Sequence, residues 1–424
     1  YSDVGFDTPG PEVHADGEIW NGTNFDIRQA LVKKYDAQYP ESDKALELRC
    51  ADGKPGTTAP ESSLPPEQCP GDRRWIQIVF DAFLLQQGDT SMLTARDAYL
   101  AADRMRFGGA NQKELWDAFA KRGMGGTAST DTTDDDQPKA AYDSPRSTNA
   151  TVTFGTTDAG TGAAVPATIY IGRYQARVTP LADTDRSTPL SATAKLVPGT
   201  YDVLVQSAGH GLRRYTLTVT AGQALTQRYA LAPNVASKSQ GATASGSGTN
   251  QGDLIDDNEA TTWDATDSTG VNVGRPSVTI SLAGAKPVKS IGVSAMLDPD
   301  DPDADETRFT ALRQFKVETC DGRSSNCSLP TSWKQLYTSP ADAFPAVAPR
   351  PLAPALQLRT FDVPDTTATQ IRFTALQNQC TGGPDYQGEQ DGDPTNATDC
   401  DTASDSGTNL HAAEFEVYDT NVTG

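Results

Sequence analysis

Histidine is scarce in this chain: 424 residues hold three, His14, His210 and His411. The six cysteines contain no C-x-x-C pair, so a zinc cluster lacks both its usual spacing and its histidines. No apolar stretch approaches the ~20 residues needed to cross a bilayer, which leaves no candidate for a membrane-spanning helix. No secretory leader is visible and Tyr1 is not an initiator methionine. The expectation is a chain cut far inside a longer precursor. Cations are short as well: Lys and Arg total 35 against 56 Asp and Glu, a formal net charge of −21. A surface that acidic repels phosphate backbones and anionic lipid, so nucleic acid and membrane surfaces are not expected partners. It favours solubility outside the cell and can supply oxygen ligands for calcium.

An even cysteine count points to disulfides and an oxidising, extracellular setting. Sequence proximity favours Cys50–Cys69, Cys320–Cys327 and Cys380–Cys400. The length predicts roughly two to four domains, since single cores rarely grow much beyond ~250 residues.

Residues 1–126 read as helical. From His14, Ile19, Trp20, Phe25, Ile27, Ala30, Leu31 and Tyr35 recur at helical spacing. Residues 38–71 read as a loop-like insert. The run Arg73 to Gln87 is apolar enough to predict a largely buried helix. A further helix is capped by Thr90 or Ser91 and runs through Met105; the last opens at Asn111 and stops at Gly123. The Thr- and Asp-rich stretch 127–148 lacks apolar periodicity and marks a linker.

From about Asn149 the period changes to two. Residues 167–171, 201–205 and 215–219 alternate as half-buried strands, and 149–233 resembles a small β-sandwich of the carboxypeptidase-regulatory-like type. Residues 234–424 read as all-β, with strands near 277–282, 290–295, 314–319, 370–375 and 414–418.

Two stretches carry a family resemblance. Val13-His14-Ala15-Asp16-Gly17-Glu18-Ile19-Trp20 and the Gly108–Gly123 block (GGANQKELWDAFAKRG) resemble the C-terminal half of a fungalysin-type secreted zinc peptidase, similar in design to thermolysin. The resemblance implies peptide-bond hydrolysis with zinc held by an H-E-x-x-H helix and a downstream Glu. No H-E-x-x-H occurs in this chain, so the zinc ligands are expected on an N-terminal peptidase fragment that stays associated. Val13-His14 matches the family's Val-His pair, whose histidine donates a hydrogen bond to the oxyanion of the attacked carbonyl; an exposed helix-start histidine is the competing reading. Asp7, or Asp3, would orient the ring. Glu18 reads as a solvent-facing or locally paired acid, His210 as a turn residue and His411 as structural.

Leu254 to Trp263 (LIDDNEATTW) and Ala413 to Tyr418 (AEFEVY) resemble the two ends of a discoidin-type (factor 5/8 C) jelly roll. That resemblance implies a structural calcium ion held by Asp256, Thr261 and Glu414, with a solvated acidic loop as the alternative. The family loop usually has Gly where this chain has Asp257. A further acidic run, Asp298 to Glu306, reads as an extended loop. Trp333 and the loop around Tyr386 could stack on a sugar ring, although core packing is the preferred reading for Trp333.

The expected fold is therefore multidomain, α plus all-β: a helical C-terminal lobe of a thermolysin-like peptidase (1–126), a linker (127–148), a small β-sandwich (149–233) and a discoidin-like jelly roll (234–424). The expected function is that of the C-terminal chain of a secreted zinc endopeptidase. Its β-domains would hold a protein substrate, a carbohydrate or a cell surface. The alternative is a non-catalytic extracellular adhesion or carbohydrate-binding protein. A carbohydrate-active enzyme lacks a carboxylate pair with better context than surface acid.

Overall fold

The computed structural model describes residues 13–51, 64–135, 137–173, 180–266, 275–298, 309–345, 353–380 and 405–421. Asp3, Asp7, Tyr386, Cys400 and nearly all of the Asp298–Glu306 run lie outside them.

Five helices form the first body: α1 (Val13–Tyr35), α2 (Lys44–Ala51), α3 (Gly71–Leu85), α4 (Met92–Phe107) and α5 (Gln112–Lys121). Ile27 and Leu31 of α1 bury against Ile78, Tyr99, Leu115 and Phe119 of the other three long helices. α1 and α3 run antiparallel. Gly71 begins α3 so close to α1 that a Cβ would overlap the Leu31 carbonyl, and Trp75 Nε1 donates to Asn24 Oδ1 at 3.1 Å. α2 lies inside the segment expected to be a loop; Asp43 caps it by accepting from the Ala45 and Leu46 amides, and the Cys50–Cys69 disulfide ties its end to α3.

α3 departs from expectation. Gly71, Arg74, Ile78 and Ala82 are its buried residues, while Phe80, Phe83 and Leu84 are 64%, 56% and 84% exposed. The apolar run is wider than the one stripe that α1 and α4 cover, so its outer face is left open among the described residues. α4 starts at Ser91, whose hydroxyl accepts from the Thr94 amide at 3.1 Å. It ends on Gly108 and Gly109, both left-handed at φ 63° and 82°, where a side chain would be strained.

The 127–148 stretch connects the first two bodies as a pinned strap. Ser129 and Lys139 exchange backbone hydrogen bonds. Tyr142 is buried in the sandwich core together with Ala120 of α5. Asp117 accepts from the hydroxyls of Ser144 and Ser147 at 2.6 and 2.7 Å. Polar residues that suggest a tether here find fixed partners instead.

The second body stacks two sheets. One has the order β4 (Thr193–Leu196), β1 (Ala150–Asp158), β7 (Ala224–Leu231). The other has the order β3 (Ala182–Asp183), β2 (Thr168–Ile171), β5 (Gly199–Ser207), β6 (Gly211–Val219). Alternating residues such as Val152, Phe154, Val203, Val205, Leu217 and Val219 fill the space between them.

The third body contains β8 (Thr243–Gly246), β9 (Trp263–Thr266), β10 (Ser277–Ser294), β11 (Leu312–Cys320), β12 (Lys334–Thr338), β13 (Arg359–Asn378), β14 (Asn409–Ala412) and β15 (Glu414–Tyr418). The main sheet runs β12-β11-β13-β10-β15, with β8 also on β10, and β14 pairs β9 in a second sheet. β10 unites two strands expected separately, 277–282 and 290–295, through a register shift after Ser281. Trp263, Phe315, Phe373 and Phe415 form the aromatic centre of this core. This is the expected order of a helical lobe followed by two β-bodies. Cys320–Cys327 is a disulfide and Cys380 is disulfide-bonded too. Among the described residues no cysteine is free, a pattern consistent with an oxidising setting.

Candidate functional site

His14 occupies the first turn of α1; its side chain is outside the described residues. The antiparallel packing of α1 and α3 brings the C-terminal end of α3 to the end where α1 begins. Phe80, Phe83 and Leu84, with Leu85 at 40%, form an exposed apolar face on the C-terminal half of α3. Phe80 and Phe83 meet edge to face at 6.4 Å. Below this end hydrogen bonds and ring contacts join the helices. Asn24 Oδ1 accepts from Trp75 Nε1 and from the Tyr99 hydroxyl at 3.0 Å. Burial pushes the Tyr99 phenol up to about 12, and Trp20 packs on Tyr99 and Phe119. Glu18 is exposed, and Arg28 pairs with Glu41.

The Gly108–Gly123 block forms the base of this body. Asp103 is fully buried. It accepts from the Asn111 amide, from Asn111 Nδ2 at 2.8 Å and from Gln112 Nε2 at 2.9 Å. Tyr35 donates to Asn111 Oδ1 at 2.6 Å. The Gly-Gly-Ala-Asn-Gln run is thus a turn plus a polar plug, with no phosphate-binding geometry.

A second cluster lies at the seam of the two β-bodies. Thr261 Oγ1 donates to Asp256 at 3.1 Å, and Lys238 Nζ lies 3.2 Å from Asp256 Oδ2. Glu414 is fully buried: Oε2 accepts from the Asn258 amide at 3.0 Å and Oε1 has no hydrogen-bond partner. Burial pushes the Asp256 carboxyl up to about 6. Burial, and then the negative charges of Glu416, Asp257 and Asp256, push Glu414 well above the usual range. Asp256 and Thr261 are brought together directly, and Glu414 reaches the same loop through Asn258.

Asp257, at φ 63°, takes the tight turn that Gly would take, because its side chain is fully used. It accepts from Asn234 Nδ2 at 2.9 Å, Ser237 Oγ at 2.5 Å and the Gly209 amide at 2.7 Å. Gly209 belongs to the sandwich, so Asp257 also ties the bodies together. Two buried glutamates complete the seam. Glu416 accepts from the Leu212 amide at 2.8 Å and Arg213 Nη1 at 3.1 Å, while Arg213 stacks on Tyr418 at 4.3 Å. Glu259 pairs with Arg214 and accepts from Ser294 Oγ.

Ser207, His210 and Asp158 stand in the order of a nucleophilic relay, with His210 Nε2 3.0 Å from Asp158 Oδ2. The geometry is structural. Ser207 is buried, its hydroxyl donates to the Pro166 carbonyl at 2.8 Å and lies 3.5 Å from Nδ1. The Thr161 amide, then His210, hold the Asp158 carboxyl down at about 2. His411 is buried with Nδ1 2.6 Å from Thr310 Oγ1. Among the described residues Trp333 joins none of the buried clusters. It is half-buried on the edge of the main sheet, donates to the Cys327 carbonyl at 3.0 Å and is covered by Arg372 at 4.4 Å.

Among the described residues no group of three His, Cys, Asp or Glu is placed to hold a metal ion. His210 and His411 are engaged elsewhere and do not fit a zinc site. No helix among these residues is long and apolar enough to cross a membrane.

Residues 1–128 match the family Fungalysin metallopeptidase (M36). Extracellular metalloproteinase 2 of Phaeosphaeria nodorum is 31% identical over 126 residues, covering 29% of this chain and 17% of that protein. Extracellular metalloproteinase MEP of Pyricularia oryzae is 34% identical over 119 residues, 27% of this chain and 16% of that one. The chain thus spans about one sixth of the length of the relatives it matches. The family 32 carbohydrate-binding module of C. perfringens NanJ, solved with galactose, aligns over 42% of this chain and 93% of its own. Its TM-score is 0.25 and its identity 16%.

Proposed function

We propose, starting from a helical region of fungalysin type, that this body forms one wall of a secreted endopeptidase cleft. The zinc-bearing half would form the other wall. The observation that carries this reading is the open apolar face on the C-terminal half of α3, Phe80, Phe83 and Leu84. An exposed patch of Phe and Leu is costly to leave in water and marks a docking face. The metal would supply Lewis-acid activation of water and carbonyl. His14 would donate to the developing oxyanion, with Asp7 orienting its ring. The two β-bodies would hold a protein substrate or a carbohydrate surface.

In the assembled enzyme, His14→Ala should lower kcat on casein by roughly 10²–10³-fold with little change in KM, the pattern of a lost transition-state donor. An unchanged kcat rejects the role. The competing reading is a non-catalytic adhesion or carbohydrate-binding protein, for which the interlocked β-bodies alone would suffice. Intact masses and zinc content of the native sample separate the two. A zinc-bearing polypeptide carrying H-E-x-x-H with this region supports the enzyme, and a zinc-free species lacking it supports the binder.

We also propose that Asp256, Thr261 and Glu414 hold a structural calcium ion. The support is chemical: an unpartnered buried carboxylate oxygen on Glu414 beside raised acids is what a missing divalent cation would relieve.

A further inference from the structure

β6 is the outer strand of its sheet, and its backbone parity is fixed where it starts. Gly211 pairs with Ser207 across the turn, and the next amide, Leu212, points away from β5 and donates to Glu416 Oε1. In an antiparallel strand both backbone groups of a residue lie on one side, and the sides alternate. The N–H and C=O of Arg214, Thr216 and Thr218 therefore face outward as well. Among the described residues these groups have no partner.

A cleft of about 450 Å³ opens along this edge. Four consecutive β6 residues, Leu212 to Tyr215, line it, so the strand's edge is the wall. Leu358 and Thr360 line it as well. Natural edges are usually guarded by Lys, Pro or a bulge. Arg214, the one charge on the open stretch, is drawn away by Glu259 and the Arg173 carbonyl. The surroundings favour an anion. Residues 149–233 carry seven Lys or Arg against four Asp or Glu, net +3 in a chain of net −21.

We propose that the β6 edge binds an acidic polypeptide segment by strand addition. Outward N–H and C=O groups recurring every second residue, over about 13 Å from Arg214 to Thr218, are matched by another extended backbone. The net positive charge of residues 149–233 then favours acidic side chains over basic ones. This inference does not depend on the role proposed for His14; either can fail while the other stands.

The test uses the full chain and a fluorescein-labelled hexapeptide of alternating Val and Glu, followed by anisotropy. Saturable binding that weakens with salt is expected. Methylating alternate peptide nitrogens should weaken it at least about tenfold, the order for one or two lost backbone hydrogen bonds. Thr216→Pro removes an amide that faces away from β5, a position where an edge strand tolerates proline. It should keep the thermal midpoint and lose binding by a similar factor. Thr218→Pro serves if the first variant misfolds. Equal binding by the methylated peptide or by the proline variant overturns the proposal. So does retention of labelled oligogalacturonate in place of the peptide, or concentration-dependent self-pairing of the chain that Thr216→Pro abolishes.

Discussion

Asp103 has no exposed surface, yet its carboxylate is fully used by Asn111 and Gln112. Asp103→Ala would strand three buried donors and should lower unfolding stability by about 3 kcal/mol in a urea titration, with Asp103→Asn costing less. Asp256 behaves oppositely, because its carboxyl is pushed up to about 6 by burial. A carboxyl whose folded pKa exceeds its unfolded value near 3.9 binds its proton more tightly in the native state. Stability is therefore gained as pH falls from about 6 toward 4 and lost as pH rises through that window. In EGTA, Asp256→Asn should raise the pH 7 thermal midpoint and flatten its dependence between pH 4 and 6. In millimolar calcium the same change should lower the midpoint. A parent chain whose midpoint is indifferent to calcium in thermal shift would reject the ion site.

At the scale of elements, α3 makes the clearest prediction. Leu84→Lys and Phe80→Glu fall at exposed positions of α3, so each should change the chain's own stability by no more than about 0.5 kcal/mol. Each should nevertheless weaken capture of the zinc-bearing half in a pull-down from the assembled enzyme; undiminished capture would show that the face is not the contact. α3 also shows where sequence reading stops. The 3.6-residue period located α1, α3, α4 and α5, and the Gly108-Gly109 stop is where the backbone turns left-handed. Periodicity cannot say how many neighbours cover a helix, so a run apolar all round reads as buried. α2 was hidden because its eight residues sit among loop-forming ones. β15 errs in the other direction: Glu-Phe-Glu-Val-Tyr alternates as a strand with one wet face, yet all five residues are buried. The wet face is occupied by Arg213 and the Leu212 amide, partners 200 or so positions away that no local pattern could announce. His14, Asp256 and the departure at Asp257 were visible through motif resemblance, while the partners of Asp257 and the roles of Glu259 and Glu416 emerged only from the fold.

Across the whole molecule, polar contacts hold the two β-bodies in one arrangement. Arg213→Ala leaves Glu416 buried beside Tyr418 without its cation, and should cost roughly 3–5 kcal/mol. Calorimetry should show one joint transition for residues 149–421 in the parent chain and two separated transitions in the variant. A single transition with an unchanged midpoint would mean that the seam contributes little. Gly211 sits at its tightest point, left-handed at φ 70° and with a Cβ position that would overlap Glu416 Oε1. Any chimera that grafts this C-terminal unit onto a foreign sandwich must therefore bring a glycine at that turn and an amide aimed like that of Leu212. Parting the two bodies leaves the buried Glu416 carboxylate without its amide donor.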